Sequence, residues 1–184
     1  MNYIISQILG VLVTVVCLIS PQMKKKWQMC CMTILANVMS ATGMLLVGAF
    51  SAMGCCIVAI VQTALRIWHL HKDTKISKIE IGIFSVLYIV GGLLPYIVGG
   101  TLSEFGFIDV LPIIGALMLM IGVALRGEQP SRVCGLINGI IYFIYNLIIW
   151  NTQIFAQLAG IISNVIALIR YRKKEKDAVA PEVK

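Results

Sequence analysis

Charged residues are scarce in this chain of 184 residues. Asp, Glu, Lys and Arg make up 12% of it, whereas 59% of the residues are hydrophobic. Soluble domains average about 25% charged residues, so this chain has too few charges to cover the surface of a water-soluble fold. The shortage excludes a cytosolic enzyme, a disordered chain and a secreted disulfide scaffold. With a mean hydropathy of +0.93, the composition predicts an integral membrane protein.

Sequence motifs for catalysis and for metal or phosphate binding are missing as well. The 6 cysteines show no CxxC spacing, so we expect them to pack as small apolar residues. His69 and His71 are two positions apart, which puts them on different faces of a helix and favours an interfacial role over a metal site. The sequence has no glycine-rich phosphate-binding loop and no nucleophile–base pair. We therefore expect neither an enzyme nor a cofactor.

Long hydrophobic runs occupy most of the chain. A helix needs about 20 mostly apolar residues to cross a bilayer. Strands of a membrane barrel would alternate over about 10 residues and give a weaker signal. We therefore predict an all-α integral membrane protein with seven transmembrane helices. Their predicted spans are Asn2–Ser20, Met29–Phe50, Ala52–Leu70, Ile79–Val98, Gly106–Leu125, Val133–Trp150 and Thr152–Arg170.

Basic residues are absent from every second connection between the predicted spans. All 15 Lys and Arg residues lie after span 1, around the end of span 3, between spans 5 and 6, or from Arg170 onward. Because cytoplasmic loops are enriched in Lys and Arg, we predict that the N-terminus is outside and the C-terminus is cytoplasmic. The net charge of +7 then reflects this topology, and we expect no nucleic acid partner.

A weak internal repeat relates the first three spans to the last three. Asn37 corresponds to Asn138, and Gln62 corresponds to Asn164, at offsets of 101 and 102 positions. Span 4 reverses the chain once more, so the two halves would run parallel in a 3+1+3 arrangement, which is a known transporter architecture. The predicted units are residues 1–71 for the first repeat, 72–104 for a cytoplasmic loop and linker helix, 105–172 for the second repeat, and 173–184 for an unstructured basic cytoplasmic tail.

Polar side chains inside the spans recur along helical faces. Such groups are costly in hydrocarbon unless they have a partner or face a cavity. Several of them, including two amides from each half, fall within about one helical turn of the membrane midplane. We predict that they form a pocket for a neutral, hydrogen-bonding solute, with hydrogen bonding between helices as the alternative. The predicted pocket residues are Asn37, Ser40, Gln62, Asn138, Tyr142, Asn146, Gln157 and Asn164.

Ionisable side chains are absent from the predicted mid-membrane region. Arg66 is about one turn from a span end, and Glu80 begins span 4. Ion-coupled carriers usually hold a carboxylate or a histidine in the membrane core, so the sequence favours facilitated diffusion. Pro21, Pro95 and Pro112 are candidate hinges because proline frees backbone carbonyls, although ordinary kinking or helix termination is the alternative.

Short motifs in this chain resemble those of the SWEET, SemiSWEET and PQ-loop superfamily, and most closely those of its bacterial inner-membrane members of the YgjV type. The resemblance covers residues 1 to about 174. It rests on LPIIGA at 111–116, FIYNLII at 143–149 and SNVIALIRY at 163–171. The dipeptide Pro21-Gln22 is similar to a PQ motif, whereas the second half has Gln129-Pro130 in the reverse order.

The resemblance implies an inner-membrane transporter of a sugar, a vitamin precursor or a similar solute. In the sugar transporters of this superfamily, pocket asparagines fall at the positions of Gln62 and Asn164, and Asn146 matches an Asn of the closer family. Some members are cargo receptors, so a non-transporting receptor, sensor or assembly factor is the alternative function. The expected partners are a small-molecule solute and the lipid bilayer, and a homo-oligomer is left open.

Overall fold

The chain is helical throughout the part that the computed structural model describes, which comprises residues 2–19, 26–74, 76–100, 103, 105–124 and 128–179. Each helix overlaps the span predicted for it, so the prediction of an all-helical protein is confirmed. The helices of the described part are α1 (Asn2–Ile19), α2 (Lys26–Leu46), α3 (Phe50–Lys72), α4 (Lys78–Val98), α5 (Phe107–Ala124), α6 (Glu128–Ile148) and α7 (Ile154–Val179).

The helices differ in the length of their apolar segments. In the described part of the chain, α1, α2, α3 and α4 are long and apolar enough to cross a membrane. The apolar stretches of α5, α6 and α7 are shorter: Phe107–Ile121, Arg132–Ile148 and Ile154–Ile166. Large hydrophobic side chains lie on the outer surface of the bundle, where Ile79 is 73% exposed and Val98 is 78% exposed. This surface suits a hydrocarbon environment.

Two helix ends differ from the predicted boundaries. Helix α6 begins at Glu128, before the predicted start at Val133. Pro130 does not prevent this earlier start, because it lies in the first turn, where no intrahelical hydrogen-bond donor is needed. Helix α7 continues to Val179, so the prediction of an unstructured tail is wrong between Lys173 and that residue. The Lys, Glu and Ala residues of this segment have high helix propensity, which outweighs their polarity.

Each helix packs against its neighbours in sequence, and α7 returns to pack against α1. The seven helices of the described chain therefore form a closed ring. One further contact crosses this ring, between α3 and α5. Helix α4 contacts α3 and α5, so it bridges the helices that precede and follow it.

The α2–α3 and α6–α7 connections have the same backbone geometry. Gly48 has φ of 75° in the first, and Trp150 has φ of 51° in the second. In each connection the next amide donates a hydrogen bond of 2.9 Å back to the last turn of the preceding helix, to the Met44 carbonyl in one and the Asn146 carbonyl in the other. This left-handed helix cap turns the chain sharply.

Helices α3 and α4 approach each other closely where two glycines face each other. A Cβ atom on Gly54 would overlap the carbonyl oxygen of Gly91. Pro95 lies inside α4 one turn later, and since proline has no N–H, it leaves the Gly91 carbonyl without its usual helical donor. The absence of a side chain on Gly54 therefore lets the two backbones meet at this carbonyl, in the manner of close Cα–H···O contacts between helices.

Candidate solute cavity

A cavity of about 340 Å³ lies inside the bundle and is lined by residues of α2 to α6 and by the first turn of α7. Small-molecule sites in proteins typically measure about 300–1,000 Å³, so the cavity suits a small solute. Its walls combine apolar side chains, such as Phe84 and Leu119, with amide and hydroxyl groups. This combination is typical of sites that bind an uncharged, hydrogen-bonding molecule.

The cavity has one closed end and one open end. At the end where α2 turns into α3, the lining residues Met44, Ala52 and Gln153 are at most 4% exposed. At the other end, near the α3–α4 connection, the lining residues Arg66 and Ile76 are exposed. A solute could therefore enter from the α3–α4 side of the bundle.

Six of the eight predicted pocket residues line this cavity: Asn37, Ser40, Gln62, Asn138, Tyr142 and Gln157. Asn146 lies outside the lining, where it is fully buried and its Nδ2 donates to the Tyr142 carbonyl at 2.7 Å. Asn164 also lies outside the lining. Its Nδ2 donates to the Gly160 carbonyl in its own helix at 3.0 Å. Of the four amides related by the internal repeat, Asn37, Gln62 and Asn138 therefore line the cavity and Asn164 does not.

Gln62 makes two contacts that hold its amide group. Its Oε1 accepts a hydrogen bond of 2.6 Å from the hydroxyl of Tyr88. Its Nε2 lies 3.3 Å from the sulfur of Met120. Both neighbours line the cavity. The amide therefore has a strong hydrogen bond on its oxygen and only a weak acceptor at its nitrogen.

Asn138 presents an acceptor without a donor. Its Oδ1 is buried and has no hydrogen-bond partner among the described residues. The oxygen lies beside the backbone of α5, 3.1 Å from where a Cβ on Gly115 would be. Buried carbonyl groups are normally paired, whereas this oxygen is unpaired and too deeply buried for a group in the cavity to reach it.

Ser40 and Gln153 form the floor of the cavity. The Ser40 hydroxyl donates to Gln153 Oε1 at 3.2 Å. Gln153 Nε2 is buried and has no hydrogen-bond partner among the described residues. The Gln153 backbone amide donates to Asn151 Oδ1 at 2.9 Å, and Asn151 Nδ2 donates to Ser6 Oγ at 3.2 Å. This chain of buried hydrogen bonds ties the closed end to α1.

Basic, acidic and histidine side chains line the cavity only at its mouth, among the residues that are described. They are Arg66, His69 and Glu80. His69 is 7% exposed, and its Nε2 lies 2.9 Å from Glu80 Oε1 while its Nδ1 lies 2.6 Å from Thr74 Oγ1. Glu80 also accepts a hydrogen bond of 2.6 Å from the Ser77 amide at the start of α4. This cluster joins the end of α3 to the start of α4.

Two of the three prolines that we predicted as hinges lie inside helices of the described structure. Pro95 and Pro112 lie inside α4 and α5, and Pro112 offers its carbonyl to the Tyr142 hydroxyl at 3.2 Å. Both helices continue through their prolines. Pro21 lies outside the described residues. A hinge function for these prolines stays a prediction.

Tyr88 lines the cavity, although the sequence pattern did not identify it as a pocket residue. It lies in an apolar run of α4, a helix interpreted only as a linker. The signal was present, because a tyrosine hydroxyl within hydrocarbon requires a hydrogen-bond partner. The partner, Gln62, lies 26 positions earlier in the chain, and no local pattern identifies it. Cys55 and Cys56 also line the cavity, although the sequence led us to expect only that they pack as small apolar residues.

Comparison with known proteins supports a membrane location for this bundle. No curated protein and no solved structure matches the chain. A family model described as bacterial inner membrane protein, Imp-YgjV, matches residues 4–175, which include all of the cavity lining. The chain therefore belongs to the Imp-YgjV family of bacterial inner membrane proteins.

Proposed function

We propose that this protein is a seven-span carrier that moves a small, neutral, polar solute across the bacterial inner membrane by facilitated diffusion. The cavity is the observation that carries the proposal. It is large enough for a small solute, open at one end, and lined by hydroxyl and amide groups that include Gln62. Such a carrier catalyses no covalent step.

Matched contacts between the two halves support the 3+1+3 arrangement. The Ser51 hydroxyl donates to the Asp109 carbonyl, which joins α3 to α5, and the Thr152 hydroxyl donates to the Gln7 carbonyl, which joins the start of α7 to α1. Both bonds measure 2.6 Å. Exchanging the first three helices with the last three converts one contact into the other. The left-handed residues at positions 48 and 150, which follow α2 and α6, are related by the same exchange.

Such an exchange is expected of two parallel repeats around a central solute site. It also supports the relation to the SWEET and PQ-loop superfamily, which the sequence motifs resemble. In carriers built from repeats, one half moves relative to the other so that the site opens alternately to the two sides. The present form, with one closed end, would be one of these two states.

The distribution of charge supports uncoupled transport. The described basic, acidic and histidine residues of the lining lie at the mouth, and the deeper lining has no Asp, Glu, Lys, Arg or His among the described residues. Coupling to protons or sodium ions usually requires an ionisable group within the membrane core. We therefore expect the solute gradient alone to drive transport.

The basic connections support an orientation with the N-terminus outside. The open end of the cavity lies beside the α3–α4 connection, which is one of the basic segments, so the cavity would open to the cytoplasm. An impermeant maleimide should label a cysteine at Ser103 in intact cells and one at Lys75 only after the membrane is permeabilised. The reverse labelling pattern would contradict the orientation and, with it, the cytoplasmic opening.

Counterflow in proteoliposomes tests the transport proposal. Vesicles containing purified protein are loaded with an unlabelled neutral solute, such as D-glucose, D-xylose or glycerol, and diluted into the same solute in labelled form. We expect at least one solute of such a panel to show protein-dependent counterflow, and Gln62→Ala to reduce it. An imposed pH gradient should not produce accumulation.

Two results would contradict the proposal. Accumulation that a protonophore abolishes would show coupling and rule out facilitated diffusion. A solute that raises the melting temperature of the protein but shows no counterflow would favour the alternative function of a receptor or sensor.

A further inference from the structure

The contacts of the Gln62 amide favour one of its two orientations. A thioether sulfur accepts hydrogen bonds but has no hydrogen to donate. A hydrogen bond to the Met120 sulfur, at 3.3 Å, therefore requires the NH₂ group of Gln62 on that side. The oxygen then accepts a hydrogen bond of 2.6 Å from the Tyr88 hydroxyl. One N–H of the amide is directed at the sulfur, and the second remains for another acceptor.

Packing holds the Tyr88 ring in place, and its hydroxyl makes the contact with the cavity residue Gln62. The side chain is 2% exposed and belongs to a buried cluster with Phe84, Ile113 and Met120. Because the ring is held on its apolar sides, the hydroxyl is held at the position that Gln62 needs. Loss of this hydroxyl would leave the ring in place and release the amide oxygen.

Asn138 also lines the cavity, but its Oδ1 is buried and has no partner among the described residues. A group inside the cavity cannot reach an oxygen so deeply buried. The hydrogen bond offered by Gln62 on α3 is therefore the one that a solute can use.

We infer that Tyr88 is a positioning residue that fixes Gln62 as a hydrogen-bond donor, and that the cavity accordingly selects solutes that accept a hydrogen bond from Gln62. This inference rests on the proposed function, since it concerns the same cavity. It extends that function by naming the polarity that the solute must have and the residue that sets it.

NMR of the side-chain NH₂ groups tests the role of Tyr88 without a known solute. The ¹⁵N-labelled protein is studied in nanodiscs, and Gln62→Glu and Asn138→Asp identify the two signals because each removes one NH₂ pair. We expect Tyr88→Phe to shift the Gln62 signal. Tyr96→Phe is the matched control. Tyr96 also lies on α4, and its hydroxyl donates a hydrogen bond of the same length, 2.6 Å, to Asp109 on α5. The control should leave the Gln62 signal unchanged.

A second measurement needs no change at Tyr88 and so remains informative if that variant does not fold. In the wild-type protein, the ¹³C-labelled methyl group of Met120 should show a nuclear Overhauser effect to the Gln62 NH₂ protons. The absence of this effect would overturn the orientation of the amide. Equal shifts of the Gln62 signal in Tyr88→Phe and Tyr96→Phe would overturn the positioning role.

A small amide tests the donor role of Gln62. N,N-dimethylacetamide can accept a hydrogen bond but cannot donate one, and we expect it to shift the Gln62 signal. In Tyr88→Phe the dimethylacetamide concentration for half of this shift should rise about two- to tenfold, the effect of losing one hydrogen bond. No shift of the Gln62 signal, or the same half-shift concentration in Tyr88→Phe and wild type, would overturn the inference.

These outcomes are separable from the transport test. Positive NMR results without counterflow would leave the donor role of Gln62 intact and reject only the carrier function. Counterflow together with a negative NMR result would reject the role of Tyr88 and retain the carrier.

Discussion

Replacing Gly54 with Ala should destabilise the protein by about 1–3 kcal/mol, the usual cost of overpacking a close contact. The new methyl group would overlap the carbonyl oxygen of Gly91, which is backbone and cannot rotate away. Helices α3 and α4 would have to separate, and this movement would disturb Tyr88 and Gln62, which lie on these two helices. Alanine favours the helix over glycine by about 1 kcal/mol, so the observed loss should fall toward the lower part of the range.

Thermal unfolding followed by tryptophan fluorescence measures this effect in detergent. In a chain of this size, about 1 kcal/mol lowers the melting temperature by about 2–4 °C. Gly82→Ala is the matched control, because a Cβ at Gly82 on α4 would meet open space. The control should melt at the wild-type temperature or slightly above it. Equal melting temperatures for Gly54→Ala and Gly82→Ala would refute the close approach of α3 and α4.

Three further substitutions test other parts of the structure. Gly10→Ala should lower the melting temperature, because the added Cβ would overlap the Thr152 hydroxyl and displace the α6–α7 turn from α1. Gly48→Ala should lower it too, by the equivalent of about 1–2 kcal/mol, because alanine disfavours the left-handed conformation even though no atom lies within 4 Å of the new Cβ. Gln62→Ala should weaken counterflow of a transported solute while Asn164→Ala leaves it near wild type; the opposite ranking would show that the solute binds outside the cavity.

The helices were predictable because the signal for them is local. A run of about 20 apolar residues is long enough to cross hydrocarbon whatever surrounds it, and each predicted span overlaps an observed helix. The starts and ends were less predictable, as at Glu128 and Val179. Beyond the apolar run, helix propensity and the tolerance of the first turn for proline decide where a helix ends, and neither is visible in hydropathy.

The cavity was only partly predictable from the stripes of polar residues. Asn37 and Gln62 were identified because they lie on polar helix faces near the predicted membrane midplane, and both line the cavity. The repeat pattern indicated Asn164 equally strongly, yet this side chain lies outside the cavity lining. A sequence stripe shows which polar residues share a helix face, but not whether that face is turned toward the cavity or toward a neighbouring helix.

By itself the sequence determined the membrane class, the number of helices and a set of polar candidates, because composition and periodicity act along the chain. Only the tertiary structure decided which candidates meet. The rotation of α4 against α3, set where Gly54 contacts the Gly91 carbonyl, places the Tyr88 hydroxyl beside the Gln62 amide. That pair comes from different helices, and its hydrogen bond depends on how closely two backbones can approach, which no pattern within either helix specifies.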